Sequence, residues 1–140
     1  MGIHHAIKAR QANNSRRTYQ YLFDFDSPTF NHHRAIFGGK DIKRGVSHAD
    51  DLSYLFYANY SWKLEKHSKE YLTIQRMIKM WTAFAKTSNP NCEYTKHSPW
   101  KSVEETGFHN WLRISNELSF EQMDDNFEKK LNFLLDLYEK

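Results

Sequence analysis

A histidine on a glycine-led loop just ahead of a helix is well placed to move protons. The loop lets the ring project, and the helix, once packed, fixes where it projects. The stretch Gly45-Val46-Ser47-His48-Ala49-Asp50-Asp51-Leu52 has that form, which makes His48 the candidate general acid/base of this chain. His48 is also one of eight histidines, so a plain turn position is the competing reading of the residue by itself. Three other chemistries draw on the same region. Gly45-x-Ser47-x-Ala49 falls one residue short of the nucleophile elbow G-x-S-x-G, which also needs a strand leading into it. A metal could use His48 and Asp50 or Asp51 with His4-His5 or His32-His33. Adjacent histidines point to different faces, however, and neither H-x-x-x-H nor H-E-x-x-H occurs. Lys8, Arg10, Arg16 and Arg17 would serve a nucleic acid only as part of a basic face, and the remaining charge is mixed. The expectation is therefore no metal, no cofactor and no nucleic acid.

The elements that must hold His48 are read from period and punctuation. Residues 4–11 can form a short helix, followed by a polar, turn-prone loop at 11–17. Tyr19, Tyr21, Phe23 and Phe25 alternate strictly, which predicts a strand ended by Ser27-Pro28. Residues 29–47 read as one long irregular stretch with Gly38-Gly39 and Gly45, and such stretches are disproportionately functional. Asp50-Asp51 then open a helix bearing Leu52, Leu55 and Phe56. A longer helix is predicted over 69–86, with Tyr71, Ile74, Ile78, Trp81 and Ala85 as its apolar stripe. Ser68 can cap it and Asn89-Pro90 stops it. Residues 91–110 read as loop with Pro99-Trp100 as a packing anchor, 111–115 as a short strand. Phe127, Leu131, Leu134, Leu135 and Tyr138 mark a terminal amphipathic helix. Trp81 and Phe84 read as core. Phe30, Phe37, Tyr54, Phe56 and Tyr57 read as core before the lining of a ligand pocket, and Cys92 as a free structural thiol.

Composition says that this is a piece of something. The apolar share, counting glycine and omitting tyrosine, is about 37% against about 45–50% in ordinary globular domains. A mean hydropathy of −0.83 agrees. Yet 16% aromatic residues is the opposite of a disordered composition. One or two strands cannot satisfy a sheet by themselves. No apolar run approaches the length of a membrane span, and the compartment stays open between cytoplasm and secretion.

The block Gly45–Phe56 closely resembles the segment that carries the catalytic histidine in type-B carboxylesterases, most of all the insect alpha-esterases of the α/β-hydrolase superfamily. Tyr19–Asp26 resembles the family strand before that loop, and Arg76–Pro90 the helix and asparagine-proline stop after it. Trp100 and Leu112–Ile114 resemble the closing elements. The likeness covers essentially all of the chain but only the C-terminal part of a family member. It implies an α/β fold, the C-terminal portion of an α/β-hydrolase, with one or two strands and three to four helices, incomplete as a stand-alone fold. Residues 1–140 would be one partial domain. It implies further that His48 is the triad histidine and Asp51 a structural carboxylate. The triad runs Ser, acid, His in this fold, so both partners lie N-terminal to His48. Asp24 and Asp26 are not where the family keeps its acid, and neither G-x-S-x-G nor a glycine-rich oxyanion segment is present. The implied function is serine-dependent hydrolysis of a small-molecule carboxylic ester, carried out only with the remainder of the domain, the isolated chain being inactive. The alternative is a non-catalytic interaction protein of the same fold, or the product of a broken gene copy.

Overall fold

Aromatic alternation does produce a strand, but a short one. In the computed structural model, which describes residues 2–13, 17–38, 41–57 and 64–138, β1 is Tyr21–Phe23. It pairs in parallel with β2, Asn110–Ile114, with Tyr21 opposite Leu112 and Phe23 opposite Ile114. The backbone N–H of Asp24 still donates to the Ile114 carbonyl at 2.8 Å, after which the chain turns away towards the histidine loop. Parallel neighbours require a long crossover. Here it contains α2 (His32–Phe37), a 3₁₀ turn at Asp50–Tyr54, α3 (Lys69–Thr87) and α4 (Val103–Thr106). Helix α1 (Gly2–Ala12) precedes the sheet and α5 (Asp125–Tyr138) follows it.

The sheet has one strand more than the sequence indicated. β3, Leu118–Gln122, pairs antiparallel with β2 in the order β1-β2-β3, Ile114 lying opposite Leu118. It escapes a pattern search because Leu118 and Phe120 are its only apolar residues and its turn contains no glycine. The turn is closed instead by Ser115, whose N–H and hydroxyl both donate to the Glu117 carbonyl, at 3.2 and 2.9 Å. Residues 29–47 are likewise less irregular than expected, since α2 lies among them. Gly38 ends that helix, and a Cβ placed there would stand 2.7 Å from the Arg34 carbonyl oxygen. The helix expected after Asp50 is a 3₁₀ turn, and 91–110 holds a second such turn, Glu93–Thr95, besides α4.

Helix α3 matches its expected span. Ser68 Oγ accepts the N–H of Tyr71 at 3.1 Å, and Ser88 leaves the helix in the left-handed region just before Asn89-Pro90. Its buried face is rotated from the expected stripe. Thr73, Met77 and Met80 are fully covered, Ile74 and Trp81 partly, while Ile78 is 44% and Phe84 43% exposed. The flexible methionines fill the gap above the sheet better than β-branched residues can. The core then gathers Phe25, Phe30, Tyr54, Met77, Met80, Trp100, Leu112 and Ile114. Trp100 is the anchor expected. Its indole N–H donates to the Gln20 carbonyl at 2.9 Å, and Asn91 brackets its backbone with two bonds of 2.8 Å. Cys92 is a half-buried free thiol.

Candidate active site

His48 stands at the tip of a turn spanning residues 47–50. The N–H of Asp50 donates to the Ser47 carbonyl at 3.2 Å, and Ala49 has φ 69°, ψ 6°. Those angles belong to the third residue of a type II turn, a place that favours glycine. The His48 side chain is exposed and has no hydrogen-bond partner among the described residues, so it is presented outward. Its carbonyl accepts the Ser47 hydroxyl at 3.3 Å. Ser47 is thus part of the turn, and among the described residues no strand leads into it, as an elbow serine would need.

The base of the turn is anchored to β1 and α2. Arg34, 4% exposed, extends its guanidinium between three acceptors. Nη1 donates to Asp26 Oδ1 at 2.6 Å and to the Gly45 carbonyl at 2.7 Å, and Nη2 to the Ser27 carbonyl at 2.9 Å. Gly45, with φ 95°, adopts a left-handed conformation that a side chain would resist as its carbonyl turns towards Arg34. Arg44 Nε donates to the other oxygen of Asp26 at 2.7 Å. Burial pushes the Asp26 carboxyl up, but bonds from Arg44, from the Gly45 N–H and from Arg34 outweigh it and hold it below the ordinary carboxylate range. Asp24 is paired with Arg113. Both upstream carboxylates are therefore engaged by arginines. Asp51 accepts the Tyr21 hydroxyl at 2.7 Å, tying the 3₁₀ turn to β1. Burial, then Asp51, pushes the Tyr21 phenol well above its usual value. Tyr54, 1% exposed, donates to Asn31 Oδ1 at 2.8 Å, and Asn31 Nδ2 donates to the Phe25 carbonyl at 3.0 Å.

Sequence reasoning missed Arg34 and Asn31, and weighed Asp50 only as a helix opener or metal ligand. One signal was available. Ser47-His48-Ala49-Asp50 has the S-x-x-D spacing of a capping box, in which the acidic side chain reaches back to the N–H three residues earlier. Asp50 does so, Oδ2 accepting the Ser47 N–H at 2.8 Å. Nothing in the stretch His32–Phe37 announces a buried arginine. The histidine pairs split as expected of neighbours, with His4 and His32 buried while His5 is exposed and His33 half-buried. Among the described residues no group of three His, Cys, Asp or Glu could hold a metal ion. Of the aromatics near the site, Phe30 and Tyr54 are core, whereas Phe37, Phe56 and Tyr57 are 78%, 67% and 88% exposed.

His32, at the start of α2, gives this frame a pH dependence. Burial, then His33, lowers its pKa below the usual histidine value, with Asp50 pulling partly the other way. The unfolded chain therefore binds this proton at higher pH than the folded one. The stability involved is complete above about pH 6.5 and is lost as the pH falls below it. Urea midpoints of the enzyme carrying this segment should be lower at about pH 5.5 than at about pH 7.5. His32→Gln should narrow that difference without removing it, since His4, also buried, shifts in the same direction. An unchanged difference in the variant would show that His32 is not a source.

A parallel strand, a crossover that carries an exposed histidine on an anchored turn, and a helix packed over the sheet match part of an α/β-hydrolase fold. The chain belongs to the carboxylesterase family, whose profile matches residues 1–134. It is 37% identical over 95 residues to esterase B1 of Culex pipiens, covering 67% of this chain and 17% of that protein. It is 30% identical over 121 residues to the bile salt-activated lipase of Rattus norvegicus, covering 83% of this chain and 18% of that one. Two solved structures share the fold. Juvenile hormone esterase from Manduca sexta superimposes with a TM-score of 0.73 at 22% identity, over 94% of this chain and 24% of the other. Aspergillus niger EstA does so with a TM-score of 0.60 at 23% identity, over 92% and 23%. The chain thus spans less than a fifth of the curated relatives it matches. No described helix is long and apolar enough to cross a membrane.

Proposed function

We propose that this chain is the C-terminal segment of a carboxylesterase and supplies His48 as the general acid/base of a Ser–acid–His triad. The observation that carries this is the exposed imidazole at the tip of an anchored turn, in the loop that follows α2 on the crossover from β1. In the complete enzyme His48 takes the proton of the serine hydroxyl as that oxygen attacks the ester carbonyl. It then returns the proton to the leaving alcohol, and repeats the exchange with water to release the acid. The substrate is a small-molecule carboxylic ester, and neither metal nor organic cofactor is called for.

The serine, the acid and the oxyanion hole come from the remainder of the domain. Support for that lies in the elements before and after His48 in the chain. Ile36 and Phe37 on α2, Ile42 in the loop, and Phe56 and Tyr57 after the 3₁₀ turn are all more than half exposed. Large apolar side chains left open in this number favour a contact that covers them. β1 has a sheet neighbour on one side only among the described residues, and an open edge invites another strand.

The purified 140-residue chain should hydrolyse a short-chain naphthyl ester no faster than free imidazole at the same concentration. An antibody to residues 116–130 should detect in native extract a band far above 16.8 kDa that also labels with a fluorophosphonate. A band at that mass without label would make the short chain the product itself. A large band without label would favour a non-catalytic interaction protein. Either would overturn the assignment.

A further inference from the structure

We propose that Asp50 is a positioning residue for His48, an inference that rests on His48 being the triad histidine. Asp50 is 0% exposed, although it is an acidic residue only two positions from an exposed one. Burying a carboxylate is costly unless both oxygens find donors. Both do, on different elements. Oδ2 accepts the backbone N–H of Ser47 at 2.8 Å and Oδ1 that of Arg34 at 2.9 Å. Ser47 is the residue before His48, and Arg34 lies inside α2. One rigid, planar group therefore spans the near end of the histidine turn and the helix beside it, and sets their separation. Asp50's own N–H closes the turn on the Ser47 carbonyl, so residues 47 and 50 are joined twice across His48 and Ala49.

The other arm of the frame runs through the Arg34 side chain to the Gly45 carbonyl, so a single helical residue holds the loop on both sides of Val46. With its backbone fixed in this way His48 keeps only its side-chain torsions to search. Misplacing a catalytic group by about 1 Å can cost about 10²-fold in rate. Asp51 does not share this role, because its carboxylate is taken up by Tyr21 on β1. Asparagine at position 50 keeps the shape of the side chain but can accept only one of the two N–H groups through its oxygen, its NH₂ facing the other donor. Alanine keeps neither bond.

The test uses the complete enzyme carrying this segment, with Asp50→Asn, Asp50→Ala and His48→Ala, and active sites counted by fluorophosphonate titration. The expected result is a kcat per titrated site reduced by about 10–100-fold in D50N and further in D50A, with KM changed less than threefold. Phosphonylation of the serine by the fluorophosphonate, with loss of fluoride, should slow in parallel. Counting sites separates positioning from folding, since a residue that only stabilises the fold lowers the number of sites and leaves each at full rate. If D50A yields no folded enzyme, D50N decides. Full per-site kcat in D50N overturns the proposal while leaving His48 in place. Activity retained in H48A removes the triad assignment itself, and the proposal with it.

Discussion

If His48 is the triad histidine proposed, replacing it with alanine in the complete enzyme should lower kcat/KM for a carboxylic ester by about 10⁴-fold or more, the range typical of losing a triad member. The loss falls on kcat. Without an imidazole the serine hydroxyl keeps its proton at neutral pH, and the leaving alcohol must depart as an alkoxide. Substrate binding uses other groups, so KM changes little. Because the proton is needed twice, the deficit should depend on the leaving group. A nitrophenyl ester, whose phenolate leaves without protonation, should lose less than an ethyl ester with the same acyl chain. His97→Ala serves as control, an exposed histidine far along the chain from the turn, and should retain the parent rate. Equal losses for both esters would place His48 outside the step that protonates the alcohol. Activity within tenfold of the parent would remove it from the reaction.

How far the sequence disclosed this site follows from the kind of interaction that makes each part. Helix α3 was legible because its ends are local. A serine hydroxyl caps one, a proline lies beyond the other, and both act within a few residues. β1 was legible because alternating aromatic residues have few other uses. His48 is singled out as the candidate only through the motif around it, since composition alone does not rank it above seven other histidines. What was hidden is held by distant partners. Six residues at His32–Phe37 carry no helical apolar period, and the helix is fixed from outside by Asp50 on the N–H of Arg34 and by the Arg34 side chain on Asp26, Ser27 and Gly45. β3 depends in the same way on the neighbouring strand. The stripe expected on α3 misled for a related reason. Ile78 lines an apolar groove with Tyr21, Leu52, Leu55, Phe56 and Trp81, a face the described chain leaves open.

Replacing Arg34 with alanine should be the most destabilising of the changes considered, because it removes the one buried member of a charge cluster, which reaches three acceptors at once. Asp26 would lose its buried cation and keep the Gly45 N–H and Arg44, whose side chain is 83% exposed and correspondingly weak as a partner. The carbonyls of Ser27 and Gly45 would lose donors at the same time. Breaking a buried pair from one side typically costs about 3–5 kcal/mol, well above the cost of trimming an exposed residue. Lysine should recover only part of this, since one ammonium cannot reproduce the planar fork that reaches Asp26, Gly45 and Ser27 together. The expected order of urea midpoints is therefore parent, Arg34→Lys, Arg34→Ala. The order of catalytic loss should follow, because the freed Gly45 carbonyl is at the root of the His48 loop. Limited proteolysis should show the change first as cleavage within residues 41–49, where the loop has lost one of its two ties to α2 while the Asp50 bond to the Arg34 backbone remains. An R34A enzyme with the parent midpoint and an uncut loop would mean that the cluster is dispensable and that the turn is held from elsewhere.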